Sequence, residues 1–324
     1  MTAAPDRSAP PSGGAPDPFR HLAITYRDAD ALVATLAPAL EEALARGDVV
    51  LAVVDDVVRA ALERYLGDMV AGIVFGEPAQ PYTYSGQTTA ARRAATLREM
   101  TAGGRAALVL SDSSSAGAPA AWSVLDASSN LALRGLPVTL VCLRDDARDV
   151  EDSDRFLHWN HPELYVGATA SPNPRYLTPD QVLTEVPAPP APELGPPDRT
   201  TAFDGVAALR DIRRETHRRG EEAGLDDDQV DGLVLAVGEL VSNSIEHGPG
   251  HGTLSWWSRP GRLIAQISDP GRMTTTTPGL RCPETRSVRG RGVWLARQLT
   301  DVLHLWTGAA GTHVRLEIGD SAGN

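Results

Sequence analysis

Apolar positions follow two different rhythms along the chain, and the change of rhythm divides it. Asp28 stands ahead of Leu32, Leu36, Leu40 and Leu44, a spacing that fits one helix face, and Gly47 closes the run. Residues 49–54 are then continuously apolar, and Val58, Leu62 and Leu66 mark the next helix. The same alternation continues through a helix at 88–102, a strand at 106–110, a helix at 120–133 and a strand at 138–142. Unbroken apolar strands separated by helices are what a parallel sheet buried on both faces requires. The pattern predicts an α/β fold for the first part of the chain.

Beyond residue 200 the order changes. A basic amphipathic helix is expected at 203–219 and a long helix at 226–247. Strands are expected at 253–257 and 263–268, then a glycine-rich stretch, a helix at 293–299, and strands at 302–306 and 313–318. Strands joined by hairpin-length links, with helices grouped together, predict an α+β sandwich with helices on one face of a mixed sheet. Between the two parts, Pro187, Pro189, Pro190, Pro192, Pro196 and Pro197 supply few ladder donors and favour an extended spacer. The expected domains are a disordered tail at 1–18, a first domain at 19–184, a Pro-rich linker at 185–200 and a second domain at 201–320.

Composition removes several functions. The chain has 324 residues, and all 30 of its Lys+Arg positions are arginine. Without lysine there is no phosphate-loop lysine and no Schiff base. Residues 1–199 hold 26 acids and 16 arginines, net −10, while 200–324 hold 16 and 14, net −2. Neither part carries the cation excess that a phosphate backbone demands, so no direct nucleic-acid binding is expected. No apolar run is long enough for a membrane span, and the N-terminus lacks the apolar core of a secretory signal. Two cysteines are too few for a disulfide framework, which suits a cytoplasmic protein.

The long helix is the most informative element. Val230, Leu233, Val234, Val237, Leu240, Val241 and Ile245 form one stripe, with Glu239, Asn243 and Glu246 on the opposite side. A solvated polar face explains these three residues if the helix is taken alone, yet asparagine in mid-helix is easier to explain as a ligand. The strand ending in Asp269-Pro270-Gly271 places a carboxylate where it can accept an adenine amino proton, beside a glycine that permits close approach. A segment of about eighteen residues, rich in Thr, Arg and Pro, follows; it exceeds an ordinary connection. It ends in Gly290-Arg291-Gly292 at a helix start, where backbone N–H groups can bind phosphate. Gly311-Thr312 opens the last strand.

In this order, Glu239-Leu-Val-Ser-Asn243-Ser-Ile-Glu-His247-Gly, Asp269-Pro-Gly271, Gly290-Arg-Gly292 and Gly311-Thr312 resemble the N, G1, G2 and G3 boxes of the GHKL ATPases, whose ATP-binding sandwich is the Bergerat fold. The single-domain form with a short lid resembles the anti-sigma factor serine/threonine kinases of the SpoIIAB/RsbW type, over roughly 200–318. The resemblance implies that Asn243 holds Mg²⁺, that Asp269 binds the adenine amino group with Gly271 and Thr312 beside it, and that Gly290 and Gly292 present amides to the phosphates. His247 belongs to the same nucleotide-binding set. Glu239 would be the general base for a serine hydroxyl, with Arg289 and Arg291 as lid cations. It further implies ATP as cofactor, an alternative RNA polymerase sigma factor and a STAS-type antagonist as partners, a homodimer, and a stress-response setting. One departure stands out: the Asp-x-Gly-x-Gly pattern reads Asp-Pro-Gly-Arg-Met here, losing a hinge glycine.

Histidine kinases share the ATP fold but need a phosphoacceptor histidine on an upstream two-helix hairpin. Residues 203–222 offer one helix, with His217 between Thr216 and Arg218. His217 therefore reads as a surface residue. An ATP-binding module that transfers no phosphoryl group is the alternative of a different class.

The first domain has no phosphate loop, no metal-ligand spacing and no catalytic triad, so no metal is expected there. Residues 21–26, 47–50 and 142–145, with His161-Pro162 and 172–176, resemble the MEDS sensory domain, which implies a RecA-like parallel sheet without its P-loop and a sensing role. His21, His158, His161 and Cys142 could form a sensing cluster or be scattered polar and core residues. His158 and His161 have an i, i+3 spacing that a metal could use, but no partner acid is evident.

Overall fold

The computed structural model describes residues 17–76, 85–112, 119–147, 152–186, 193–273, 275, 277–283 and 290–319. Most of the expected tail, the proline run at 187–192 and Arg289 lie outside the described residues.

The first half alternates as its apolar rhythm predicts: β1 (Arg20–Tyr26), α1 (Ala29–Arg46), β2 (Val49–Val53), α2 (Asp56–Leu66), β3 (Ile73–Phe75), α3 (Gly86–Met100), β4 (Ala107–Asp112), α4 (Pro119–Ala132) and β5 (Val138–Asp145). α5 (Ser153–Asn160), a β6 (Glu163–Val166) and β7 (Thr169–Pro172) hairpin and α6 (Pro179–Glu185) follow. Asp28 caps α1 by accepting from the Ala31 amide, and Gly47 ends it in the left-handed conformation at φ +72°. The strand order is β3-β2-β4-β5-β1-β6-β7. Pairing is parallel except at β6–β7, where the hairpin adds one antiparallel edge strand. Successive side chains serve opposite layers. Leu22 and Ile24 pack with α1 and α2, whereas Ala23, Leu140 and Cys142 pack with α3 and α4.

The second half holds β8 (Arg199–Asp204), α7 (Leu209–Glu222), α8 (Asp227–Glu246), β9 (His251–Arg259), β10 (Arg262–Asp269), α9 (Gly292–Leu299), β11 (Val302–Gly308) and β12 (Gly311–Gly319). Two expectations are corrected here. Phe203 belongs to a strand, not to the start of a helix: β8 pairs with β9, and Phe203 is buried with the core. The alternation of Thr201 and Phe203 gives edge-strand pairing in a stretch whose later arginines suggest helix. The sheet, ordered β11-β12-β10-β9-β8, is also antiparallel at every pairing rather than mixed. β8 reaches back to Arg199, so the last two residues of the expected linker belong to the sheet.

The helices cover one face of this sheet. Leu233, Val237, Leu240 and Val241 of α8 meet Leu254, Trp256, Leu263, Ala265, Ile267, Leu316 and Ile318. The two halves touch where α3 packs against α9 and β11. No described helix is long and apolar enough to cross a membrane.

Candidate functional site

α8 begins at a capping box: Asp226 accepts from the Gln229 amide, and the Gln229 side chain accepts from the Asp226 amide. That fixes the helical register, and the register decides what Glu239 and Asn243 face. They lie opposite the sheet-facing stripe, as expected, but the surface there is not freely solvated. α9 covers it: a Cβ at Gly232 would meet the Leu299 carbonyl oxygen at an ordinary contact distance of 3.6 Å. Further along, a Cβ at Gly292 would come within 2.9 Å of Glu239 Oε2 and 3.0 Å of Asn243 Nδ2. The Glu239–Asn243 pair therefore packs directly over the bare Cα that starts α9.

Next to that contact is a cavity of about 330 Å³ whose wall includes Asn243, His247, Asp269, Gly271, Gly290, Gly292 and Thr312. Seven residues expected at a nucleotide site thus converge from four elements. The volume lies in the range of small-molecule sites. Glu239 and Arg291 are not on that wall: Glu239 stands behind Gly292, and Arg291 precedes α9, with its carbonyl accepting from Leu295 N.

Asp269 closes the far end, 9% exposed. Its Oδ2 accepts from Ser244 Oγ at 2.7 Å and its Oδ1 from Gly271 N at 2.8 Å. Each oxygen keeps a lone pair for a donor in the cavity. Opposite it in the β10–β12 register stands Thr312, whose Oγ1 donates to Gly271 O at 3.0 Å. The crossing is tight. Gly311 has φ +124°, and a Cβ there would lie 2.0 Å from Asp269 O. Met273, at the missing hinge glycine, lines the cavity and donates its amide to Thr312 Oγ1 at 3.2 Å. Met273 is thereby tied to Thr312.

Ser244 escaped the sequence reading. It lies between Asn243 and Ile245 with no motif of its own, and only the fold places its hydroxyl on Asp269. His217 is exposed, 3.4 Å from Glu221, as a surface residue should be.

In the first half, the structure assembles three of the four suspected sensing residues and adds one. His21 Nε2 is 3.2 Å from Cys142 Sγ, Cys142 Sγ is 3.8 Å from Asp126 Oδ1, and His161 Nε2 is 3.8 Å from Asp126 Oδ2. His158 is not in this group; it faces Asp154 at 3.7 Å and Asn173 at 3.5 Å. Asp126 was missed because it is buried in mid-α4, and only tertiary packing brings it to β5. Burial pushes His161 down to about 4, pushes the Cys142 thiol up, and raises Asp126 to about 7, against the pull of Arg93.

Comparison with known proteins bears on the second half. Residues 205–318 match the family model of the histidine kinase-like ATPase domain. No curated protein sequence matches the chain. Among solved structures, the RsbU and RsbW domains of Rv1364c from Mycobacterium tuberculosis match 38% of this chain and 33% of that chain, at 20% identity and a TM-score of 0.29. The span from 205 to 318 contains every residue on the cavity wall, so the cavity lies wholly within the part of the chain that is similar to histidine kinase-like ATPase domains.

Proposed function

We propose that the chain is an ATP-dependent anti-sigma regulator. Residues 205–318 bind Mg-ATP, capture an alternative sigma factor and phosphorylate a serine or threonine of a STAS-type antagonist, under control of a sensory N-terminal half. The observation that carries the reading is the packing of Glu239 and Asn243 against Gly292, beside a cavity closed by Asp269.

The residues fit the nucleotide. Asp269, held by Ser244 and Gly271, has acceptor capacity for an exocyclic amino group, and Thr312 braces Gly271. The Asn243 side-chain oxygen is the hard donor that Mg²⁺ takes. Gly292 lacks the Cβ that would fill the space at the start of α9, where backbone amides favour anions. ATP with its metal supplies the transferable phosphoryl group. Glu239, one turn before Asn243 and packed on Gly292, would take the proton from the attacking hydroxyl once the start of α9 gives it access.

Control from the first half has a physical route. Arg297 of α9 is wholly buried, and its guanidinium donates to Gln87 Oε1 at 2.7 Å and Thr88 Oγ1 at 2.9 Å, both on α3. The Thr88 hydroxyl in turn donates to Leu303 O at 3.0 Å. A shift of α3 thus acts on the helix whose first residue borders the cavity.

A second reading draws on the position of Glu239 behind Gly292: the domain binds ATP without transferring phosphate. Glu239→Gln separates the two. Transfer to the antagonist should fall on the order of 10²–10⁴-fold, while ATP affinity and sigma-factor capture change little. Unchanged phosphorylation removes the base role. A wild-type protein that captures sigma factor with ATP bound, yet phosphorylates no antagonist, establishes the binding module.

A further inference from the structure

The first half contains a group of side chains that the nucleotide reading does not use. His21, Asp126, Cys142 and His161 are 1%, 7%, 3% and 2% exposed, and one donor atom from each lies within 4.8 Å of the others. They come from β1, α4, β5 and the residue that ends α5.

The hydrogen bonds around the two rings set their tautomers. His161 Nδ1 is 2.7 Å from Leu157 O, a group that only accepts, so Nδ1 carries the proton and Nε2 the lone pair. His21 Nδ1 is 3.0 Å from Asn130 Oδ1. The orientation of that amide is set independently, because Asn130 Nδ2 donates to Asn160 O at 2.8 Å. His21 Nδ1 is therefore also the donor. Both imidazoles aim an Nε2 lone pair at a thiol and a carboxylate. A metal-binding histidine is built this way, with its outer N–H held by a carbonyl or amide oxygen.

Cys142 Sγ lies within hydrogen-bonding reach of His21 Nε2 and Asp126 Oδ1, but one enclosed atom is left over. Buried His161 Nε2 has no hydrogen-bond partner. Its neighbour Asp126 Oδ2, at 3.8 Å, is too distant to donate even when protonated. That separation suits two ligands of one ion. Around a tetrahedral zinc, bonds of about 2.0–2.3 Å place neighbouring donor atoms roughly 3.3–3.8 Å apart. Three of the separations are 3.2, 3.8 and 3.8 Å, the last two to different Asp126 oxygens, and all four donors lie within 4.8 Å of one another, so an ion would draw them slightly together.

We infer that His21 Nε2, Asp126, Cys142 Sγ and His161 Nε2 form a four-ligand site for one divalent transition-metal ion of the zinc class. One thiolate, two imidazoles and one carboxylate are a donor set that zinc accepts. Binding releases the Cys142 thiol proton to solvent. Arg93, on α3, acts on both Cys142 and Asp126 and favours their anionic forms. The protein fills all four positions, so the ion clamps β1, β5, α4 and the end of α5 together and leaves no open position for chemistry. This inference does not depend on the nucleotide reading.

The test uses the tag-free full chain, treated with chelator and titrated with Co²⁺, then with Zn²⁺. One Co²⁺ per chain should bind, with the strong visible bands of four-coordinate cobalt and a thiolate charge-transfer band in the near ultraviolet; Zn²⁺ should abolish both. Cys142→Ser should remove the charge-transfer band, while Cys282→Ser, at the other cysteine, should leave it intact. Asn130→Ala, which loosens His21 without removing a ligand, should weaken binding about 10–100-fold. Circular dichroism and nucleotide binding report whether each variant still folds. If the wild-type chain binds no Co²⁺, the inference fails. It also fails if the thiolate band follows Cys282, or if His161→Gln binds as tightly as wild type.

Discussion

Each half gathers its polar chemistry around a sheet, but at opposite ends of the accessibility scale. In the first half the group sits within the layer between sheet and helices: Cys142 is in mid-β5, His21 is beside it on β1, and α4 covers both. In the second half Asp269 ends β10 and Thr312 starts β12, where the strands stop and the connections begin. A mid-strand position encloses its groups among elements buried on both sides, so they interact with each other and with whatever is trapped with them. A strand end leaves a wall missing. Asp269 uses one acceptor site per oxygen on its own chain and turns the remainder to a cavity. Enclosure favours holding an ion, and a strand end favours exchanging a ligand.

The largest effect should come from closing the strand-end crossing. Gly311→Ala places a methyl group 2.0 Å from Asp269 O at φ +124°, so the β10–β12 pairing must give way. A loss of roughly 3 kcal/mol or more is expected, together with nucleotide binding, read by denaturant titration and ATP titration. Retained ATP affinity would show that the cavity does not need this crossing.

The contact between the halves comes next. Arg297 is wholly buried among neutral oxygens, and burial lowers its guanidinium to about 9. Arg297→Met leaves Gln87 and Thr88 without this donor and should cost about 2 kcal/mol. Calorimetry should show the halves melting less cooperatively than in wild type. A single unchanged transition would mean that the joint is held elsewhere.

The smallest effect sharpens the view of the strand end. Ser244→Ala removes one donor from Asp269 Oδ2 and should weaken ATP and ADP alike by about 1 kcal/mol, roughly fivefold. Equal weakening of both nucleotides places Ser244 at the adenine end. Weakening of ATP alone would place it near the phosphates.

Much of this was legible in the chain. The capped helix after Asp28, the buried strands of the first sheet and the α8 stripe follow from periods of 3.6 and 2 and from capping chemistry, which act over a few residues. That Asn243, Asp269, Gly290, Gly292 and Thr312 share one cavity could be anticipated from the order of their motifs, because the polar side of a helix and the ends of strands and helices can be located from periodicity. Phe203 was misread because a short edge strand has too few alternations to outweigh the basic helix behind it. The sheet's antiparallel order was misread because register between distant strands leaves no local trace.

What the amino-acid sequence determined by itself was most of the elements and the order of the candidate motifs, since both depend on neighbours along the chain. Tertiary structure alone decided which side chains meet. It set Ser244 on Asp269, placed Glu239 behind Gly292 instead of on the cavity wall, brought Asp126 to Cys142 and His161, and left His158 outside. It also joined α3 to α9 through Arg297. These contacts bridge 16 to 210 residues of chain, and a gap of that length is closed by the packing of whole layers, which no local pattern encodes.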